Sequence, residues 1–174
     1  MHAFPAKDKI FREGDIVSFD LGMWYKGLAT DMALTVGVGK ITPQHRALLN
    51  ATQEALDQAI HSARALKHMG DISQAIEQTI TQAGFGVVKE LGGHGVGESV
   101  HEDPMLPNYG HQGEGEELVF GFVFAIEPMA TTGSGEVKEL SDGWTWVTKD
   151  GSVAAHFEHT VAITEKGAEI LTKL

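Results

Sequence analysis

Cysteine is absent from all 174 residues. That excludes a disulfide framework and makes a reducing cytoplasm the expected setting. No apolar run approaches the roughly 18 residues of a membrane-crossing helix. The N-terminal stretch MHAFPAKDKIFREGD lacks the apolar middle of a signal peptide. Positive charge is scarce: 13 Lys and Arg face 24 Asp and Glu, a formal net charge of −11. Phosphate binding wants clustered Lys and Arg, so neither nucleic acid nor an anionic membrane is an expected partner. Proline is sparse, at five residues, and no Pro/Ser linker divides the chain. There is no internal repeat, so one domain spanning residues 1–174 is expected. What is plentiful is glycine, 21 residues gathered around 92–97, 110–121 and 133–135.

The periodicity changes twice along the chain. Ile16 to Leu21 is apolar and β-rich, as is Leu28 to Val38, and Tyr25-Lys26-Gly27 between them reads as a hairpin turn. Thr42-Pro43 then suits a helix start. Leu49, Leu56, Ile60, Ala63 and Leu66 form an apolar stripe behind it. A second helix is expected from about Asp71, with Ile72, Ile76, Ile80 and Ala83 on its face and Gly84 as its stop. Strand character returns at Val87 to Leu91, Val119 to Met129, Val137 to Leu140, Trp144 to Thr148 and Ala155 to Thr164, with Asp150-Gly151 as a hairpin signal. Strands on both sides of two helices predict an α+β fold, antiparallel sheet covered by helices on one face.

Carboxylates stand out where strands disfavour them. With the hairpin centred between Tyr25 and Lys26, Asp20 and Asp31 oppose each other about 5 Å apart. That is destabilising unless a cation sits between them; the alternative is a register off by one, with one Asp exposed. Glu127 follows a mostly apolar run in FVFAIEPMA, where an unpaired carboxylate is costly to bury. In AAHFEHTVAI, His156, Glu158 and Thr160 share one face and Phe157, His159 and Val161 the other; either set could be the buried one. In GGHGVGESVHEDP, Gly93 and Gly95 flank His94 and leave room for a close approach to the backbone. His101-Glu102-Asp103-Pro104-Met105 is not HExxH, because its fifth residue is Met105. GHGVGE does not complete a GxGxxG loop. Asp20, Asp31, His94, Glu127 and Glu158 together suit two divalent ions such as Mn, Fe, Co or Zn. Two such ions hold a bridging water, lower its pKa and polarise a carbonyl.

These stretches resemble the type I methionine aminopeptidases, metallopeptidases of the pita-bread fold. The resemblance rests on SFDLGMWYKGLATD, GGHGVGESVHEDPMLPNY, FAIEPM, DGWTWVTKDGS and FEHT, in order along essentially the whole chain. It implies a dinuclear-metal aminopeptidase acting on the N-terminal residue, methionine above all, of peptides or nascent chains. It implies Asp31 and Glu158 as ligands bridging both ions, Asp20 on one, and His94 and Glu127 on the other. It also implies His101 as a stabiliser of the carbonyl in the transition state, Glu127 as a proton shuttle, His2 as a further catalytic and substrate-contacting residue, and Trp144 as a pocket wall. The family carries a segment ahead of the position that His2 matches, supplying helices, a strand and part of the methionine pocket. The fold is therefore expected to be N-terminally incomplete. The hairpin's outer face would be bare, and a second copy or a partner chain would cover that side. Leu91 and Val100 stand where the family usually has larger, often aromatic, side chains, and His156 stands where glutamine is common. Two rival readings are a proline-directed peptidase and a catalytically weak homologue that binds without turnover.

Overall fold

The computed structural model describes residues 2–173. Strands β1 (Ile16–Tyr25) and β2 (Leu28–Gly37) form a long antiparallel hairpin. Its loop is only Lys26 and Gly27, both at positive φ (+52° and +85°). Two such residues match the right-handed twist of paired strands. This tight turn sets the register two residues away from the expected one. Asp20 pairs with Ala33, and Asp31 with Gly22. Asp20 and Asp31 are therefore diagonal neighbours, not opposed ones. A shift of two keeps both on the same face, because strand side chains alternate with period two.

Helix α1 (Pro43–Ser62) begins as expected, with the Thr42 hydroxyl accepting from the His45 N–H. Its buried stripe is Leu48, Leu49, Thr52, Ala55, Leu56 and Ala59. Leu66 is not part of it: it lies beyond the helix at φ +68° and is 78% exposed. Helix α2 (Met69–Gln82) starts two residues before Asp71, because the Asp71 carboxylate accepts from the His68 N–H and acts within the first turn. Ile72, Ile76 and Ile80 are buried as expected, and Gly84 closes the end at φ +82°. Among the described residues no helix is long and apolar enough to cross a membrane.

The rest is antiparallel sheet in short pieces: β3 (Gly86–Val87), β4 (Gly92–Gly95), β5 (Glu102–Pro107), β6 (Val123–Ile126), β7 (Met129–Thr131), β8 (Val137–Glu139), β9 (Trp146–Thr148), β10 (Ala154–His156), β11 (Glu158–Thr164) and β12 (Gly167–Ile170). The main sheet runs β1-β2-β11-β6-β4-β5, with β12 beside β11. A smaller sheet runs β10-β7-β3, and β8 pairs with β9. Three expectations change. The strand expected over Val87–Leu91 pairs only at Gly86 and Val87. The run 119–129 splits at Glu127-Pro128, since proline cannot donate to a ladder. Asp150-Gly151 does not close a hairpin, because β10 crosses to β7 instead of folding back on β9. The Asp150 carboxylate accepts from the N–H groups of Ser134 and Ser152 and pins the loop in place.

The helices cover one face of the main sheet. There α1 and α2 side chains meet Phe124, Ile126, Val161 and Ile163 in one buried cluster. The outer face of the β1–β2 hairpin stays bare, as expected: Phe19, Leu21, Met23, Tyr25 and Leu28 are all exposed, Leu21 at 64%.

Candidate active site

Five neighbouring strands of the main sheet each deliver one candidate ligand. In spatial order they are Asp20 on β1, Asp31 on β2, Glu158 on β11, Glu127 at the end of β6 and His94 on β4. Ala33 pairs with Asp20 on one side and with Glu158 on the other. Its small side chain leaves the gap between those two carboxylates open. His156, Glu158 and Thr160 prove to be a buried set. Phe157 and His159 are half-buried, and Val161 is buried in the core cluster on the opposite face.

Two threonines that the pattern did not single out align these strands. The Thr160 hydroxyl accepts from the Asp31 N–H (2.8 Å) and donates to the Asp31 carbonyl (2.7 Å). The Thr35 hydroxyl does the same for His156, at 2.9 and 2.7 Å. Both lie on the inward parity of strands already carrying Asp31 and Glu158, which is the signal that marks them. The glycines around His94 also have a different role from the expected one. A Cβ on Gly93 would lie 2.1 Å from the Ala125 carbonyl oxygen, and one on Gly95 would lie 2.4 Å from that of Asp103. The close approach they permit is that of neighbouring backbone, which packs β4 between β6 and β5.

The side chains gather into overlapping triads whose ligand atoms lie within 4.8 Å of one another: Asp20-Asp31-Glu158, His94-Glu127-Glu158, Asp31-His94-His101 and His2-Glu127-His156. His94 Nδ1 is 3.0 Å from the Gly95 carbonyl oxygen. A carbonyl only accepts, so Nδ1 carries the proton and Nε2 presents its lone pair, 3.6 Å from Glu127 Oε1. The His101 ring is exposed, with its centroid 4.2 Å from that of His94. His2 Nε2 lies 3.2 Å from Asp20 Oδ2, and the His2 carbonyl accepts from the Trp146 N–H (2.9 Å). Trp144 is 48% exposed and stacks on Phe4 at 4.9 Å. Val100 lies over Gly22 and packs against Ala29, Val96 and Ala125, while Leu91 packs into the Val88-Met129-Val137 cluster.

The electrostatics are those of crowded, dehydrated carboxylates. Burial pushes Glu127 up to about 8, against the opposing charge of His2. Burial, then the charges of Glu127, Asp31 and Asp20, holds Glu158 well above the carboxylate range. Asp31 is raised by burial and by Asp20. Burial also acts to raise Asp20, but the His2 hydrogen bond and the nearby imidazoles outweigh it and leave it lowered. Burial lowers His94, and it takes His156 down to about 4. Among the described residues no Lys or Arg pairs with any of the four carboxylates. Glu158 Oε1 has no hydrogen-bond partner among them either. Buried carboxylates with free lone pairs, no cationic side chain and one properly turned imidazole fit divalent ions.

Comparison with known proteins agrees with this geometry. Residues 1–165 match the metallopeptidase family M24. The methionine aminopeptidase of Aquifex aeolicus is 50% identical over all of this chain, which spans 68% of that protein; the one from Clostridium perfringens is 46% identical over 99%, and 69% of it is spanned. The crystal structure of the Thermotoga maritima methionine aminopeptidase superposes with a TM-score of 0.95 at 48% identity, covering 98% of this chain and 69% of that one. The prolidase of Pyrococcus furiosus shares the fold at a TM-score of 0.77 and 28% identity, over 97% of this chain and 44% of its own. The fold is the pita-bread fold, and the chain belongs to metallopeptidase family M24.

Proposed function

We propose that this chain is a dinuclear-metal aminopeptidase that removes N-terminal methionine from peptides or nascent proteins. The observation that carries the reading is the convergence of Asp20, Asp31, His94, Glu127 and Glu158, from five adjacent strands, on one site, with all but Asp20 buried. Asp20, Asp31 and Glu158 would hold one ion, and His94, Glu127 and Glu158 the other. Four carboxylates balance two divalent ions, of Co, Mn, Fe or Zn. When bound, such ions lower the pKa of water and polarise a carbonyl. Glu127 is placed to hold and pass a proton beside them. His101, exposed next to His94, is placed to hydrogen-bond the substrate's carbonyl oxygen as it gains charge. His2 lies between Asp20 and His156; in this reading it contacts the substrate, and the exposed Trp144 lines the substrate pocket. The names of the relatives at 46–50% identity, methionine aminopeptidases, support methionine as the residue released. A cytoplasmic setting belongs to the same reading, supported by the absence of cysteine.

The test is release of methionine from a Met-Ala-Ser peptide by the purified chain with Mn or Co, and again with chelator. Ion-dependent release is expected. Ions bound with no release would favour the binding-protein reading, which the bare hairpin face also favours. That face is where a second copy or a partner chain would sit, and sedimentation at micromolar concentration reads its occupancy directly.

A further inference from the structure

The fourth triad, His2-Glu127-His156, is not used by the paired-ion reading, although it shares Glu127 with it. The two oxygens of Glu127 face different partners. Oε1 lies 3.6 Å from His94 Nε2, and Oε2 lies 3.2 Å from His156 Nε2. The His156 side chain is almost wholly buried, at 2% exposure. Among the described residues its Nε2 has no hydrogen-bond partner, so the 3.2 Å approach to Glu127 has the distance of a hydrogen bond without its direction. Two ligand atoms about 2.0–2.1 Å from one tetrahedral ion stand about 3.3 Å apart, which matches that separation. The backbones of both histidines are held in place. His156 is clamped at both backbone groups by Thr35, and His2 is tied through its carbonyl to Trp146. Their ring centroids lie 5.2 Å apart, edge to face.

We propose that His2, Glu127 and His156 form a third cation site, selective for a borderline transition ion such as zinc or cobalt. Two imidazoles and one carboxylate make a nitrogen-rich set. The Asp20, Asp31, His94, Glu127 and Glu158 set is oxygen-rich and accepts hard ions such as manganese as well. Glu127 bridges the two centres, one oxygen to each. The assignment of Oε1 rests on the dinuclear reading; the existence of the third site does not. A glutamine at position 156 would offer an amide in place of an imidazole, and an amide is a poor ligand for these ions.

The experiment is equilibrium dialysis of the metal-free chain against micromolar zinc, and separately manganese, followed by elemental analysis. Wild type is compared with His156→Gln and His2→Ala. The expected result is one zinc ion fewer per chain in each variant than in wild type, with manganese counts unchanged. Equal zinc counts in all three proteins would overturn the site. Loss of two or more ions from both variants would also overturn it, by placing these histidines in the paired centre. His2 lies in a partly exposed segment outside the sheets, so its variant carries the test if His156→Gln fails to fold. Failure of the dinuclear reading lowers the count in all three proteins and leaves the difference of one ion intact.

Discussion

Stripped of ions, the protein should become less stable as the pH rises from 7.5 to 8.5. Glu127 ionises at about 8 in the fold against an ordinary 4.5. Its protonated form is favoured in the folded state, so its contribution is fully present below about 4.5 and is lost as the pH climbs through about 8. Across this interval a group of that pKa holds on average about half a proton more than the ionised unfolded chain does. At about 1.4 kcal/mol per pH unit per proton, that is about 0.7 kcal/mol. Glu158, also raised by burial and by the neighbouring carboxylates, acts with the same sign. The lowered histidines His94, His156 and His159 have the opposite sign, but their gain comes as the pH passes the ordinary 6.5 and is nearly complete by 7.5. The net is a loss to which Glu127 contributes about 0.7 kcal/mol, or roughly 1–3 °C in melting temperature for a chain of this size. The assay is thermal melting at constant ionic strength, with chelator and with saturating manganese. With the ion present the trend should reverse, because protons and ions compete for the same oxygens. A chelated melting temperature that stays flat or rises from pH 7.5 to 8.5 would refute the picture of buried, proton-holding carboxylates.

Three substitutions test the rest. Asp31→Ala should abolish ion binding by elemental analysis and close the gap in melting temperature between loaded and chelated protein; unchanged metal content would sink its assignment as a ligand. In the chelated protein the same change should not destabilise, because it removes a charge that crowds Glu158 and Glu127. His101→Ala should keep its ions and lose about 10²-fold in methionine release, the scale of one lost oxyanion donor; full activity would remove that role. Gly93→Ala forces a Cβ to 2.1 Å from a backbone oxygen that cannot swing away, and should cost about 3 kcal/mol by chemical denaturation. A stability within 1 kcal/mol of wild type would show that β4 can part from β6.

The helices, the hairpin and the ligand residue types were legible because their causes are local. Thr42-Pro43 starts a helix by capping its own first turn, and Lys26-Gly27 makes a turn by taking positive φ. The register of that hairpin differs by two from the expected one because the turn is centred between Lys26 and Gly27, one residue later than the sequence suggests. The face assignment survived, since parity is unaffected. The fates of Asp150-Gly151 and of Val87–Leu91 were not legible. Both depend on β10 and β3 choosing β7 as partner, a choice made by packing far along the chain. The glycines beside His94 announced a close approach, but not that neighbouring strands make it.

The sequence by itself determined which residues could do chemistry: five candidate ligands of the right type, four of them carboxylates set in apolar surroundings and the fifth an imidazole between glycines. It also determined the order in which strands and helices deliver them. Only the tertiary structure decided which of them meet. Asp31 and Thr160 are separated by 129 residues and joined by two hydrogen bonds, and His156 is joined to Thr35 across 121. Contacts that distant follow from the pairing of β2 with β11 and from the Thr35 side chain reaching β10, not from any local preference. The same pairing turned the two oxygens of Glu127 toward different histidines. Sequence spacing cannot carry that information, because the direction of a side chain's far atoms is fixed by what surrounds it in space.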